Sequence, residues 1–310
     1  MTTNALYKYG IIQQKIANYL CGMNVGDKLE TFEKLSKHFN VGRGTIQTAI
    51  KELVSINALK YNNAGRNGRI ISYLNYEKLI EIAGETFIIG VMPLPYSKRY
   101  EGLATGIFKT LNNSIGNCNL AFMSGSRNRL KALLSGRYDF IVVSKQTANL
   151  FLKENLQVVE AKQLYNHSFI KGHVLASHID INSIDEIKRI GVDFSSDDQT
   201  TLTNITFKDY DVELVPIRYS NLTDSIASKT IDGAIWSADN FSIYNDKIKI
   251  LKTISPTSSM DETIASILCL QNNQATIKFL NMYLDEKTIK SIQNQVIEGS
   301  ITANYWWLIL

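Results

Sequence analysis

The chain has 310 residues, of which 45% are hydrophobic and 20% charged, as is usual for a globular protein with room for two or three domains. Its three cysteines, Cys21, Cys118 and Cys269, are far apart and form no CxxC pair, so the sequence indicates neither a disulfide framework nor a structural zinc site. Residues 1–75 hold ten Lys and Arg against four Asp and Glu, a net charge of +6, whereas the whole chain is only +4. This asymmetry favours contact with a polyanion by the N-terminal segment alone.

No secretory signal opens the sequence, and apolar runs such as residues 87–91 and 306–310 are too short to span a bilayer. We therefore expect a cytoplasmic protein without a membrane partner, which the cysteine usage also favours. The first predicted helix covers residues 6–20, and Gly22 and Gly26 end it.

Residues 31–53 predict two short amphipathic helices joined by a tight turn. Apolar residues recur with the helical period at Phe32, Leu35 and Phe39, and again at Ile46, Ala49, Ile50 and Leu53. Thr31 is the expected N-cap of the first of these helices, and Asn40 to Gly42 are expected to form the turn because Asn and Gly tolerate positive φ. This pattern is typical of a helix-turn-helix, whose second helix enters the major groove of DNA.

Two alternating segments, residues 58–61 and 69–73, follow as predicted strands, with a glycine-rich tip at residues 62–68. Three helices followed by a basic hairpin predict a winged helix-turn-helix domain over residues 1–74. A solvated basic face, or a winged helix reused for protein contacts, is the alternative interpretation of the same residues.

The segment resembles the winged helix of GntR-type bacterial regulators over roughly residues 6–73. The resemblance depends on the motif at residues 26–29, on residues 41–46 and on the glycine wing. Gly42, Gln47 and Glu33 depart from the residues usual in that family, so family-like base specificity is not implied. The predicted DNA contacts are Arg43, Thr45, Gln47, Lys51, Arg66 and Arg69, of which Arg43 and Thr45 match the family motif and Gln47 suits an adenine edge.

Residues 75–84 predict a short linker helix that ends at Gly84, and residues 85–310 form the predicted C-terminal domain. From residue 85 strands alternate with helices, twice over, which predicts two α/β units with largely parallel strands. Ligands bind such sheets outside the carboxyl ends of the strands.

The two predicted units repeat one pattern, in which a helix ends and an Asp precedes an apolar strand. Asp139 occupies that position within residues 135–142, and Asp232 within residues 228–235. This resembles the type-2 periplasmic-binding-protein fold that LysR-type effector domains share, with lobe crossings near residues 173–176 and 262–271. The expected fold class is therefore α/β, with an N-terminal winged helix followed by a two-lobed type-2 periplasmic-binding-protein-like domain. Lobe I covers about residues 85–170 and 262–310, and lobe II about residues 171–261. The order of elements resembles the YhfZ family of bacterial transcriptional regulators.

The resemblance implies that hydroxyl and aromatic residues after the strands face the cleft between the lobes. Hydroxyls at helix N-termini suit an anionic group, although N-capping explains each of them equally well. Arg99 and Arg127 are further candidates to pair with an anion, or else solvated surface charges. The predicted effector contacts are Tyr96, Ser124, Ser126, Ser144, Ser195, Ser196, Thr200 and Trp236.

Catalysis is not predicted, because the chain lacks HExxH, a Walker loop and a G-x-S-x-G elbow. No cofactor and no metal site is expected. The apolar tail at residues 304–310 either completes the core or contributes to a dimer interface.

These observations together predict a ligand-responsive transcriptional regulator that binds double-stranded DNA as a homodimer and takes a small, anionic effector in the cleft. The alternative is a DNA-binding protein whose C-terminal domain mediates dimerisation or protein contacts and binds no small molecule.

Overall fold

The computed structural model describes residues 2–65, 68–85, 87–112, 117–154, 157–239, 246–254 and 260–305, without the side chains of residues 2–9. The predicted DNA contact Arg66 and residues 306–310 of the apolar tail lie outside the described residues. The chain forms two compact units. The first comprises Met1–Ile88, Asn112–Asn117 and Gln271–Tyr283, and the second comprises Ile89–Leu111, Cys118–Leu270 and Leu284–Leu310.

The first unit contains the predicted winged helix. Its helices are α1 (Thr2–Cys21), α2 (Phe32–Phe39), α3 (Arg43–Ser55), α4 (Tyr76–Ala83) and α10 (Gln274–Tyr283), and its strands are β1 (Lys28–Leu29), β2 (Leu59–Asn63) and β3 (Arg69–Leu74). The three strands form an antiparallel sheet in the order β1-β3-β2. Ile16, Leu20, Leu35, Ile46 and Leu53 are fully buried and bring α1, α2 and α3 together around one core.

Local chemistry explains where α2 and α3 begin and end. The Thr31 hydroxyl accepts the Lys34 amide at 3.3 Å, which caps α2 as predicted. Asn40 ends α2 in the left-handed conformation at φ 54°. The expectation that Gly42 also needs positive φ is wrong: Gly42 has φ −61° and is the N-cap of α3. One left-handed residue reverses the chain here, so Asn40 alone carries that requirement.

Helix α10 packs in the first unit against α1 and α4, although the sequence analysis assigns its residues to the C-terminal domain. The Asn18 side chain makes two hydrogen bonds to the start of this segment: Nδ2 donates to the Asn272 carbonyl and Oδ1 accepts the Ala275 amide, both at 2.8 Å. The Lys278 ammonium lies 3.7 Å from the centre of the Tyr76 ring. Helix α10 is therefore an integral part of the N-terminal core.

We expect Asn18→Ala to lower the free energy of unfolding by about 1–3 kcal/mol, because the buried Ala275 amide lies in the first turn of a helix and has no intrahelical acceptor. Urea unfolding measures the loss, and hydrogen exchange at the Ala275 amide locates it. Lys15→Ala, at an exposed position on the same helix, is the matched control. Unchanged exchange at Ala275 in the Asn18 variant would contradict the assigned contact.

The second unit contains two sheets of five strands each. Its strands are β4 (Phe87–Met92), β5 (Asn117–Phe122), β6 (Phe140–Ser144), β7 (Val158–Gln163), β8 (His173–His178), β9 (Arg189–Val192), β10 (Glu213–Pro216), β11 (Gly233–Ser237), β12 (Ile248–Ile254) and β13 (Ala265–Leu270), and its helices are α5 (Lys98–Asn112), α6 (Ser126–Leu134), α7 (Lys145–Lys153), α8 (Asp197–Thr206), α9 (Leu222–Ala227) and α11 (Glu286–Glu298). The sheet of lobe I has the order β5-β4-β6-β13-β7, and the sheet of lobe II has the order β10-β9-β11-β8-β12.

The prediction of largely parallel strands is wrong for the strands that cross between the lobes. Strand β8 is antiparallel to β11 and β12, and β13 is antiparallel to β6 and β7. The other described pairings, β4 with β6 and β9 with both β10 and β11, are parallel. Each crossing strand enters its new sheet from the opposite end, which accounts for the reversed direction. The crossing strands β8 and β13 begin at His173 and Ala265.

The repeated Asp has the same role in both lobes. Asp139 Oδ2 accepts the amide of Ile89 on β4 at 2.7 Å. Asp232 Oδ2 accepts the amides of Lys188 and Arg189, at the start of β9, at 2.9 and 2.8 Å. Each carboxylate thus joins the start of one strand to the strand beside it. The two sequence segments are similar because both lobes use this connection.

Candidate nucleic-acid interface and ligand cavity

Helix α3 presents one polar stripe to solvent. Arg43, Gln47 and Lys51 are exposed and follow one another at intervals of four residues, while the opposite face, with Ile46 and Ile50, is buried. Thr48, which is not among the predicted DNA contacts, is exposed beside this stripe and donates its hydroxyl to the Gly44 carbonyl at 3.0 Å. Thr45, also a predicted DNA contact, is only partly exposed at the start of the helix. The stripe matches the spacing by which a recognition helix meets base edges.

A groove in the first unit extends from this stripe to the wing. Lys28, Arg43 and Arg69 line it together with Glu33 and Asn63. Glu33 forms an ion pair with Lys37 at 3.1 Å, and the hydrogen bond from Lys37 lowers the pKa of the Glu33 carboxyl. The groove is therefore lined by three cations and one carboxylate, and the carboxylate is already paired with Lys37. Lys28 is not among the predicted DNA contacts.

Arg69 differs from the other predicted DNA contacts because its guanidinium is stacked on aromatic rings. It lies 3.6 Å from the centre of the Phe32 ring and 5.6 Å from that of Tyr61. These contacts attach the wing strand β3 to α2 and keep the guanidinium at the groove. Arg69 thus links the wing to α2 while its guanidinium stays at the groove.

The second unit contains a cavity of about 80 Å³ at the facing edges of the two lobes. It is lined by Pro93, Leu94, Tyr96, Tyr100, Ser124, Gly125, Ser126, Arg129, Phe169 and Ile170 and by His173, Asp193, Ser196, Asp198, Gln199, Tyr219 and Ser237. Most of these residues follow the carboxyl ends of strands or begin helices, where the topology of α/β sheets predicts ligand binding.

Arg129 is the cation of the cavity. Only 5% of this residue is exposed; its Nη1 donates to the Met123 carbonyl at 2.8 Å, and its Nε has no partner among the described residues. Burial lowers the pKa of Arg129 to about 10, so the guanidinium still carries its charge at neutral pH. A buried guanidinium with an unused N–H is suited to receive an anionic group.

Two carboxylates share the cavity with Arg129. Asp193 accepts the Ser195 amide and hydroxyl at Oδ1 and the Tyr219 amide at Oδ2. Asp198 Oδ1 accepts the hydroxyls of Ser144 and Thr147 at 2.7 and 2.9 Å. Burial raises the pKa of Asp198 to about 6.

Aromatic rings form much of the remaining wall. The rings of Tyr96 and Tyr219 lie 5.9 Å apart, and those of Tyr100 and Phe169 lie 5.2 Å apart in an edge-to-face arrangement. Burial lowers the pKa of His173 to about 4, so its ring is neutral at physiological pH. Arg129, Asp193 and Asp198 therefore supply the full charges of the lining.

The predicted effector contacts divide into two groups. Tyr96, Ser124, Ser126 and Ser196 line the cavity, whereas the other four do not. Ser144 caps α7 and bonds Asp198, Ser195 bonds Asp193, and the Thr200 hydroxyl lies 3.5 Å from the Asp193 carbonyl. Trp236 is buried in the core of lobe II. Alternate residues of a strand face opposite sides, so β11 directs Ser237 to the cavity and Trp236 away from it.

Arg127 and Arg99, the cations considered for an anionic ligand, form ion pairs with carboxylates of the protein instead. Arg127 bonds Asp197 at 2.8 Å and Glu154 at 2.6 Å, and Arg99 bonds Asp239 at 2.8 Å. Arg129 lies one helical turn after Ser126, which already faces the cavity. The i, i+3 spacing could therefore have identified Arg129.

The lobes contact each other through the first residues of α8. Asp197 accepts the Ser126 hydroxyl at 2.6 Å and the Arg127 guanidinium, while Asp198 accepts the Ser144 hydroxyl. Asp197 and Asp198 belong to lobe II and the donors to lobe I. These contacts hold the cleft closed around the cavity.

Among the described residues, no three His, Cys, Asp or Glu side chains are grouped as a metal site requires. Within the same ranges, no helix is both long and apolar enough to cross a membrane.

Comparison with known proteins identifies both parts of this architecture. Residues 24–71 match a helix-turn-helix domain, and residues 75–305 match the YhfZ C-terminal domain. The chain therefore combines a helix-turn-helix with a domain of periplasmic-binding-protein-like fold. It belongs to the YhfZ family. YhfZ of Escherichia coli (strain K12) is 28% identical over 309 residues, which cover 98% of this chain and all of that protein.

Solved structures show the same fold. The crystal structure of YhfZ from Shigella flexneri is 26% identical, covers 74% of this chain and 98% of its own, and has a TM-score of 0.62. The periplasmic VFT2 domain of BvgS from Bordetella pertussis and an ancestral arginine-binding protein have TM-scores of 0.53 and 0.52, at 12% and 16% identity. They cover 71% and 69% of this chain, and 97% of their own chains in each case.

Proposed function

We propose that this protein is a ligand-responsive transcriptional regulator, with the winged helix binding operator DNA and the cavity of the second unit binding a small effector. The observation that carries the proposal is the exposed stripe on α3, joined to a groove lined by Lys28, Arg43 and Arg69. A helix-turn-helix in front of a two-lobed ligand-binding fold is the arrangement that such a regulator requires. The protein acts in the cytoplasm, where its DNA is, and it regulates rather than catalyses.

On DNA, Arg43, Gln47 and Lys51 face the major groove, with Thr45 beside them. Gln47 pairs with an adenine edge, and Arg43 contacts guanine or phosphate at the start of the helix. Arg69 and Arg66 hold the wing against the phosphate backbone, which adds affinity without reading sequence. The GntR type of wing and the homodimer are parts of this proposal; a homodimer would place two recognition helices on a two-fold operator.

The effector binds in the cavity through an anionic group at Arg129, supported by hydroxyls such as Ser124, Ser126 and Ser196. Ligand contact would stabilise the closed lobes relative to the open lobes, since a ligand shifts an equilibrium only by its differential affinity for two states. Helix α10 provides a covalent route for the signal. It follows the crossing strand β13 directly in the chain, and it packs on α1, which also packs against the recognition helix α3.

The alternative is that the C-terminal domain mediates dimerisation or protein contacts and binds no small molecule. The buried and incompletely paired Arg129 favours ligand binding, because an unused buried charge is costly in a surface that only mediates assembly. A thermal-shift screen of small metabolites with the full chain separates the two possibilities.

A salt series tests DNA binding directly. Operators are first selected with the full chain from a random duplex library, and affinity is then measured from low to physiological salt. We expect log K to fall linearly with log salt, with a slope of roughly −0.9 for each phosphate neutralised. A flat dependence, or the failure of any sequence to be enriched, would contradict the proposal.

A further inference from the structure

The chemical class of the effector can be inferred from the charges in the cavity, and this inference depends on the proposed function. Arg129, Asp193 and Asp198 all line the same cavity of about 80 Å³. Among the described residues, Arg129 makes no ion pair with either carboxylate, although ion pairs join Arg127 to Asp197 nearby. One cation and two anions thus face a common space without neutralising each other.

We propose that the cavity binds a small α-amino acid as a zwitterion, with its carboxylate on Arg129 and its ammonium on Asp193 and Asp198.

The carboxylate position follows from the hydrogen bonds that Arg129 leaves unused. The guanidinium is 5% exposed and gives Nη1 to the Met123 carbonyl, while Nε has no partner among the described residues. A guanidinium has five N–H donors in a planar fork, which suits the two oxygens of a carboxylate. A carboxylate at this position would supply both the missing acceptor and the countercharge.

The ammonium position follows from the two aspartates. Asp198 Oδ1 already accepts two hydrogen bonds, from the Ser144 and Thr147 hydroxyls, and no described residue donates to Asp198 Oδ2. Asp193 is held rigidly by the Ser195 and Tyr219 amides. An ammonium offers three donors and one positive charge, so it can bond both carboxylates at once. A simple anion would instead meet two negative charges at this end of the cavity, which disfavours it.

The volume limits the ligand to a small one. A water needs roughly 10–15 Å³ of such space, so 80 Å³ holds about five to eight waters. An amino acid with about six or seven non-hydrogen atoms, such as alanine or serine, is of matching size. The rings of Tyr96 and Tyr219 and the side chain of Ile170 would cover a short side chain. Long side chains would require the lobes to separate.

Isothermal titration of the full chain tests the proposal with six probes: L-alanine, L-serine, propionate, ethylamine, inorganic phosphate and sulfate. Propionate lacks the ammonium and ethylamine lacks the carboxylate. We expect at least one of the two amino acids to bind, and each truncated probe to bind at least 100-fold more weakly. Equal binding of propionate, or selective binding of inorganic phosphate or sulfate, would overturn the zwitterion and leave the proposed function standing. Failure of every small metabolite to bind would overturn both.

Two variants assign the two ends of the ligand. Asp198→Asn should weaken amino-acid binding at least tenfold and should not weaken propionate binding, because the ammonium contact is lost while one of the two negative charges that disfavour a simple anion is removed. Arg129→Lys keeps the positive charge and loses the planar set of guanidinium N–H donors. It should therefore weaken the binding of both the amino acid and propionate. Thermal unfolding without ligand shows that each variant is folded. If Asp198→Asn weakened the two ligands equally, the ammonium assignment would be wrong, whatever the behaviour of Arg129→Lys.

Discussion

Arg43→Ala is expected to reduce operator affinity by about tenfold or more without unfolding the protein. Arg43 is exposed at the first turn of α3, lines the groove and makes no described ion pair, so its removal exposes no cavity and leaves no buried charge. A single arginine contact with a base edge or phosphate contributes roughly 1–3 kcal/mol, which is about 5- to 150-fold in affinity. Electrophoretic or fluorescence titration on the selected operator measures the loss.

Arg137→Ala is the matched control for this experiment. It removes the same side chain and the same charge from an exposed position in the second unit. Operator affinity should be unchanged within about twofold, and the thermal midpoints of both variants should equal that of the parent. If Arg43→Ala bound the operator as tightly as Arg137→Ala, the stripe on α3 would not be the recognition surface. The salt dependence of Arg43→Ala should also be shallower if the lost contact is to phosphate.

Asp198→Asn is expected to stabilise the protein at pH 8 by about 1–3 kcal/mol, although it removes a charge from the proposed ligand site. Burial raises the pKa of the folded carboxyl from 3.8 to about 6, and one pKa unit corresponds to about 1.4 kcal/mol. The folded state therefore holds a proton between about pH 4 and 6 that the unfolded state releases. In the unmodified protein, the contribution of the Asp198 carboxyl to the free energy of unfolding is greatest below about pH 4 and is lost as the pH rises through about 6. The Asn amide oxygen can still accept the Ser144 and Thr147 hydroxyls, so the substitution keeps both of these hydrogen bonds.

Urea unfolding at pH 5 and pH 8 measures this effect, with Asp211→Asn as an exposed control of the same charge change. The stability gain of Asp198→Asn should be larger at pH 8 than at pH 5, and Asp211→Asn should show no such difference. A variant less stable than the parent at pH 8 would mean that the ionised carboxylate is stabilising, contrary to this prediction. A residue that lowers stability while lining a cavity is a frequent sign of a binding role.

The winged helix could be predicted closely because its determinants are local. Thr31 caps α2 within three residues, Asn40 alone supplies the left-handed turn, and the buried positions of α3 follow the helical period. The alternation of strands and helices in the second unit was predictable for the same reason. The elements that were missed are β7, β12, α7, α10 and α11. Three of them have partners far away in the chain: β7 pairs with β13, β12 pairs with β8, and α10 packs on α1.

The candidate ligand site was predicted only in part. Ser124, Ser126 and Ser196, which were chosen as hydroxyl residues after strands, line the cavity, whereas Ser144 and Ser195 do not. Position in a loop does not determine what a side chain contacts. Arg127 and Arg129 are two residues apart on one helix, and only the packed lobes show that the first forms ion pairs and the second lines the cavity.

The sequence by itself determined that this protein has a basic winged helix-turn-helix followed by two α/β units, because both depend on short-range periodicity, caps and charge. Tertiary structure alone decided two matters. It brought Arg129 together with Asp193 and Asp198, more than 60 residues further along the chain. It also joined α10 to α1 through Asn18 and Ala275, 257 residues apart. Such contacts arise from the packing of whole lobes and helices, and no local pattern of residues encodes them.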